Sequence, residues 1–347
     1  MPSVRVHKIA SVTYRLGLDK RKLEMSESVP SVVGNVVVVR ALREKRVYND
    51  LELENGRMAK IELGDVVVGA LGTRRALQGF VGEIPASLAV GDTLHILNRG
   101  GVIGRSTTDH KDFGRPFPVE LLGTVTKGGQ PVNIADDVIP TVECLNGVTI
   151  PPIVIFSGTG MNSGKTYACA QAIQQLTKRG YVIHGGKLNG IACRRDLIAM
   201  EDHGASRTLS FLDLGFPSTA GLDFPEIARV TRSAIVALAD GAPDAIFLEL
   251  GDGVIGDYGV LATVGQPELI PAVKAHVFCA CDLLGAWGGH RFLEENGVAI
   301  DVFCGPVTDT AVGVDFITNT FGLPALNSRL EPQEFATTIE SLLGKKR

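Results

Sequence analysis

Ile153-Val154-Ile155-Phe156-Ser157-Gly158-Thr159-Gly160-Met161-Asn162-Ser163-Gly164-Lys165-Thr166 is the stretch that decides how the chain is read. Four apolar residues in a row predict a short buried strand, and residues 166–179 have helical spacing that ends at Gly180. Between strand and helix stands a glycine-rich loop ending in Gly-Lys-Thr. That is the local context a phosphate-binding loop requires. Glycines let the backbone curl until successive N–H groups face one anion, and the positive end of the helix dipole adds to the field. Lys165 is expected to reach the β and γ phosphates, and the Thr166 hydroxyl to hold Mg2+. Residues Gly158, Thr159, Gly160, Met161, Asn162, Ser163, Gly164, Lys165, Thr166 and Tyr167 form the expected nucleotide cradle. The strict pattern has glycine five residues before Gly164, where this chain has Thr159; Gly158 sits one place earlier.

Strand and helix signals alternate after this loop. Strands are expected at residues 181–184, 244–250, 276–281 and 300–304, with helices at 225–240 and one opened by Gln266-Pro267. Such alternation predicts a parallel sheet with flanking helices. The first 150 residues differ. Short β-rich runs at 36–40, 66–70, 93–97 and 119–125 are punctuated by Gly64-Asp65, Gly91-Asp92, Gly100-Gly101 and Gly128-Gly129, which suggests a small barrel or sandwich. The fold expected is therefore α/β: a P-loop parallel sheet at residues 150–347, preceded by a β-rich N-terminal domain at residues 1–140. The proline-bearing segment 135–152 reads as the linker.

The 347 residues are 45% hydrophobic and 21% charged with a formal charge of −4, a globular composition with no field that favours nucleic acid or an anionic membrane. No run approaches the length of a membrane span, the N-terminus has no signal-peptide core, and the six cysteines have neither zinc-finger spacing nor the look of a disulfide framework. A cytoplasmic protein is expected, with Cys279 and Cys281 in the core.

Gly-Thr, four residues, then Gly-Lys-Thr resembles dethiobiotin synthetase and related ATP-dependent amidoligases of the SIMIBI class of P-loop proteins. The likeness covers about residues 153–328. It implies that Lys187, in Gly186-Lys187-Leu188-Asn189-Gly190, ends a second strand and faces substrate, although Asn189 replaces the family's hydroxyl residue. It implies Mg2+ ligands at Thr166, Asp202 and Glu249, with Asp213 as rival to Asp202 and Asp252 as substitute for Glu249. Glu249 also stands out without the resemblance, because an acid ending the apolar strand Ala245-Ile246-Phe247-Leu248 is costly unless paired or metal-bound. The segment Cys304-Gly305-Pro306-Val307-Thr308-Asp309 matches the place where the family contacts adenine, and Pro306 is taken as a base contact. The guanine-reading Asn-Lys-x-Asp signature is absent, so ATP is expected over GTP. The resemblance further implies a homodimer.

Other clusters are weaker. Gly251-Asp252-Gly253-Val254-Ile255-Gly256 has dinucleotide-fingerprint spacing but lacks an acid about 20 residues on, and reads better as a substrate or magnesium loop. Ser218 and Thr219 are either substrate contacts or a helix cap, and Arg194 and Arg195 either hold an anion or are solvated. Gly104 to Gly114 is long and polar enough for a lid over the active site.

The function expected is an ATP- and Mg2+-dependent ligase or kinase acting on a small carboxylate-type substrate, with Lys165, Lys187 and Glu249 as catalytic residues. The alternatives are a nucleotide-switch GTPase or ATPase for metal insertion or partner assembly, and a coenzyme A-dependent acyltransferase on the same fold.

Overall fold

The computed structural model describes residues 3–344. The chain forms two compact units. The first comprises residues 1–139 together with 191–195 and 211–220, and the second holds the remainder. The chain leaves the first unit after Ile139, and two later segments, residues 191–195 and 211–220, belong to it.

In the first unit, five strands close on themselves. Phe117–Lys127 pairs antiparallel with Val36–Ala41, which pairs antiparallel with Val66–Leu71. Val66–Leu71 runs parallel to Val102–Thr108, and Thr93–Ile96 joins Val102–Thr108 back to Phe117–Lys127. Closure removes the exposed edges that an open sheet would leave. Val36, Val37, Val38 and Val39 are all fully buried, so this valine run is covered on both faces. A bulge lies between Leu121 and Gly123, where a Cβ at Gly123 would come within 2.6 Å of the Ser26 carbonyl oxygen.

The 104–114 segment is not a loop. Val102–Thr108 continues as a strand paired with Val81–Glu83, and the remainder is a tight turn closed by His110 and Gly114, each donating its N–H to the other's carbonyl. β-branched residues up to Thr108 extend the ladder, which leaves too little free chain for a lid.

The second unit is a six-stranded, all-parallel sheet. Its strands are β1 (Ile153–Gly158), β2 (Ile183–Asn189), β3 (Arg207–Ser210), β4 (Ala245–Leu250), β5 (Val273–Cys279) and β6 (Val302–Cys304). Their spatial order is β3-β2-β4-β1-β5-β6. The helices are α1 (Lys165–Lys178), α2 (Arg195–Asp202), α3 (Phe224–Ala239), α4 (Val260–Val264), α5 (Leu283–Glu295), α6 (Ala311–Phe321) and α7 (Pro332–Leu343). β1 and β4 are buried at every position, as strands covered on both faces must be. Val154, Phe156, Ile173, Leu176, Phe247 and Phe335 belong to the core that fastens α1 and α7 to the sheet. The second unit is thus a parallel α/β sheet flanked by helices, with the glycine-rich loop joining the interior strand β1 to α1.

Several local expectations are corrected. The second strand starts at Ile183 and runs through two glycines to Asn189, later than expected; its inward positions include Lys187. No helix opens at Gln266-Pro267. α4 ends at Gly265 and turns fill the short gap before β5. β5 ends at Cys279, so Cys281 falls beyond the strand and is exposed. No helix starts directly after Gly256, which removes the dinucleotide-fold reading of that segment. Among the described residues no helix is long and apolar enough to cross a membrane.

Candidate functional site

β1 delivers the chain to Gly158, where a Cβ would overlap the Cys279 carbonyl and lie 2.7 Å from Ser163 Oγ; only glycine fits this approach. Residues 159–164 then turn, with Asn162 at φ 64° and Gly164 at φ 92°, and α1 begins at Lys165. Turns of this kind, with left-handed residues close together, are the ones in which successive N–H groups can face a common anion. Lys165 lies back across the loop it follows. Its Nζ donates to Gly160 O at 2.7 Å and to Ser163 Oγ at 3.2 Å, and only 6% of the residue is exposed. Burial pushes its pKa below the ordinary lysine value, while the Glu249 carboxylate pulls the other way.

Strand register assembles the rest. Phe156 of β1 and Lys187 of β2 both pair with Glu249 of β4, so the lysine and the acid meet across neighbouring parallel strands, near their carboxyl ends. Thr166 Oγ1 donates to Glu249 Oε1 at 2.7 Å, and Lys187 Nζ donates to the same oxygen at 3.0 Å. Lys187 Nζ also donates to Asp196 Oδ2, from the first turn of α2. Burial works against the Lys187 charge, but the carboxylates of Asp196 and Glu249 outweigh it and hold the ammonium above its ordinary pKa. Glu249 is 1% exposed, and its second oxygen, Oε2, is buried with no hydrogen-bond partner. A carboxylate oxygen left dry in this way has a strong unmet demand for a cation or a donor.

Later loops close around the cradle. A Cβ at Gly253 would lie 2.6 Å from Thr159 O, so the loop after β4 packs directly on the phosphate-loop backbone. Gly305 and Pro306, after β6, abut Gly164. Tyr167 is half-exposed, with the Arg329 guanidinium 4.8 Å from its ring centre. Met161 lies in the turn of the loop. Beneath the loop, Ser157 Oγ lies 2.6 Å from His276 Nε2, and His276 Nδ1 lies 2.8 Å from Ala299 O. The ring is therefore assigned as neutral, accepting from the serine and donating to the carbonyl.

The loop residues, Lys187 and Glu249 are thus brought together. Asp202 is not: it is exposed at the last residue of α2. Six residues on a helix turn a side chain by about 600°, so Asp202 faces well away from Asp196 and about 9 Å further along the axis. The carboxylate that reaches the cluster is Asp196, which follows Arg194 and Arg195 in sequence. Asp213 belongs to the first unit, where it accepts from Tyr14 and, at 3.2 Å, from Arg15 Nη1. Arg194 is also held within the first unit, its N–H on Glu52 at 2.7 Å and its Nη1 on Glu54 O at 2.7 Å. Ser218 acts as a local cap, accepting from Ala220 N at 3.1 Å.

No protein-family model matches the chain, and no curated protein does. Solved structures with a similar layout include the signal recognition particle receptor FtsY of Elizabethkingia anophelis, at 12% identity and a TM-score of 0.40, covering 62% of this chain and 76% of that one. Chloroplast FtsY of Physcomitrella patens is similar at 14% identity and 0.39, covering 61% and 70%. The 54 kDa signal recognition particle protein of Aeropyrum pernix, in complex with GDP, is similar at 15% identity and 0.39, covering 57% and 50%. These solved structures are signal recognition particle proteins and receptors, and they do not show the likeness to dethiobiotin synthetase.

Thr166 and Glu249 offer the hard oxygen donors that Mg2+ takes, and the unpartnered Glu249 Oε2 fits such an ion. Among the described residues no group of three or more His, Cys, Asp or Glu residues is placed to hold a metal ion by itself.

Proposed function

We propose that the second unit binds a nucleoside triphosphate with Mg2+ and transfers the γ-phosphoryl group to a small acidic acceptor, as a kinase or as the activating half of a ligase. The observation that carries this reading is Glu249, which joins the Thr166 hydroxyl to Lys187 while its Oε2 stays free for a cation. Phosphoryl transfer asks a protein mainly for positioning and charge neutralisation. The loop N–H groups would hold the phosphates. Lys165 would exchange its Gly160 and Ser163 contacts for phosphate oxygens. Thr166 and Glu249 would hold Mg2+, which supplies charge neutralisation between the phosphates. Lys187, kept charged and immobile by two carboxylates, would face the acceptor and the charge that develops on it. A small-molecule substrate, a cytoplasmic location and a homodimeric state belong to the same proposal.

The test is turnover of ATP and of GTP with Mg2+, with and without a panel of small carboxylic acids. The reading expects ATP to be used in preference to GTP, and phosphate release or ADP formation to rise with one class of acid. It also expects Lys187→Ala to remove that rise while leaving nucleotide binding. Slow hydrolysis insensitive to every acid and to Lys187 would support a nucleotide switch instead. Binding of acetyl-CoA in place of nucleotide would support an acyltransferase.

A further inference from the structure

The first unit contains a buried positive charge with no counter-ion. Arg74 is 4% exposed; its Nη1 donates to Leu97 O and, at 3.2 Å, to the Tyr48 hydroxyl, while its Nε has no partner. Arg99 comes to the same tyrosine, its guanidinium 4.9 Å from the ring centre, and its Nε is also buried without a partner. Lys45 Nζ lies 6.0 Å from the Phe80 ring centre and donates to Phe113 O. None of these three cations pairs with a carboxylate among the described residues. Stacking on aromatic faces offsets part of the cost of such a cluster, but a desolvated guanidinium ordinarily demands an anion.

Tyr48 is held at φ 56°, a left-handed conformation that a bulky side chain rarely adopts. Its ring packs 5.0 Å from Phe80 and 5.6 Å from Phe113, centre to centre. Strain of this kind persists where the surroundings over-determine it, and it gathers at ligand sites. Other cations lie in the same unit: burial, and then Arg115 and Arg43, push the His95 pKa down to about 4. Burial and Arg43 also lower that of Lys45.

We propose that Lys45, Arg74 and Arg99 bind the carboxylate or phosphate of a small organic anion, whose apolar body lies on the partly exposed rings of Tyr48 and Phe113, with the buried Phe80 behind them. Guanidinium forks match both oxyanions, and the aromatic floor selects a ligand with a ring or short apolar body over a bare inorganic ion. The site lies within the first unit.

The test is calorimetric titration of phenyl phosphate and, separately, phenylacetate into the full-length Lys165→Ala protein, in which the phosphate loop is disabled. One saturable site per chain is expected for at least one of the two, and the two arms tell phosphate from carboxylate. Arg99→Gln should weaken that binding by about tenfold or more, the loss of one charge-assisted hydrogen bond, whereas the exposed Arg57→Gln should not. Arg74→Gln should abolish binding if the variant folds by circular dichroism; if it does not fold, Arg99→Gln decides. Absence of saturable binding by both probes, or equal affinity in Arg99→Gln and Arg57→Gln, would overturn the proposal.

Discussion

Two clusters, one in each unit, handle buried charge in opposite ways. In the second, Lys187 sits between Asp196 and Glu249, and Lys165 is bonded to a carbonyl and a hydroxyl of its own loop. The first buries Arg74 against aromatic rings with no acid beside it. One arrangement is internally compensated and leaves Glu249 Oε2 unsatisfied. The other is uncompensated as a whole. The contrast separates a site that already holds its counter-charges, and needs one cation and a substrate, from a site whose counter-charge has to arrive with the ligand.

The comparison breaks most severely if the chain is cut. A protein beginning near Val148 lacks the residues that hold two segments of the first unit: Asn98 donates to Ala192 O at 2.6 Å, and Asp213 O accepts from Ile139 N at 2.9 Å. Those segments run directly into Asp196 and out of β3. Such a protein should lose cooperative thermal unfolding rather than persist as an intact nucleotide-binding unit. A sharp transition near the full-length Tm would show that the second unit stands alone.

Lys165→Ala comes next. Removing an ammonium from a preformed cradle should lower nucleotide turnover by about two decades or more, a few kcal/mol of transition-state stabilisation. Because Lys165 bonds only within its own loop, far-ultraviolet circular dichroism should not change. Turnover equal to that of the parent protein would dissolve the assignment of the loop.

The smallest effect concerns acid. His95 in the first unit and His276 in the second are both held neutral, chiefly by burial, His95 with a pKa near 4. In the unfolded chain each takes up a proton near pH 6.5. Stability should therefore be unaffected above that value and fall as the pH drops below it, by up to about 1.4 kcal/mol per pH unit for each histidine. For His95 the loss should level off near pH 4. A Tm that is flat from pH 7 to 4.5, or a His95→Gln variant with an undiminished slope, would show that these rings are protonated in the fold.

What the sequence revealed follows how local each feature is. The strand, loop and helix at residues 153–178 were legible because glycine spacing and an apolar run act on adjacent residues. Glu249 was legible because an acid at the end of Ala245–Leu248 conflicts with its surroundings. Asp196 was not, since its pairing depends on where β2 ends and α2 begins, and β2 runs further than its apolar residues suggest. The strands of the first unit could be read from Val36–Val39 and Val66–Val68. Whether they close as a barrel or stack as a sandwich could not, because Thr93–Ile96 must meet Phe117–Glu120 across the ring. Arg74, likewise, looks like any surface arginine until Phe80 and Tyr48 close over it.

The central claim is that Glu249 is the metal-holding acid of a phosphoryl-transfer site. Phosphorus magnetic resonance of ATP with the full-length protein, titrated with Mg2+, tests it most directly. The account predicts that loss of the γ-phosphate requires Mg2+, and that Glu249→Gln raises the Mg2+ concentration for half-maximal rate by about tenfold or more. Binding of ATP without metal should change far less. Turnover independent of Mg2+, or an identical Mg2+ titration in Glu249→Gln, would contradict it.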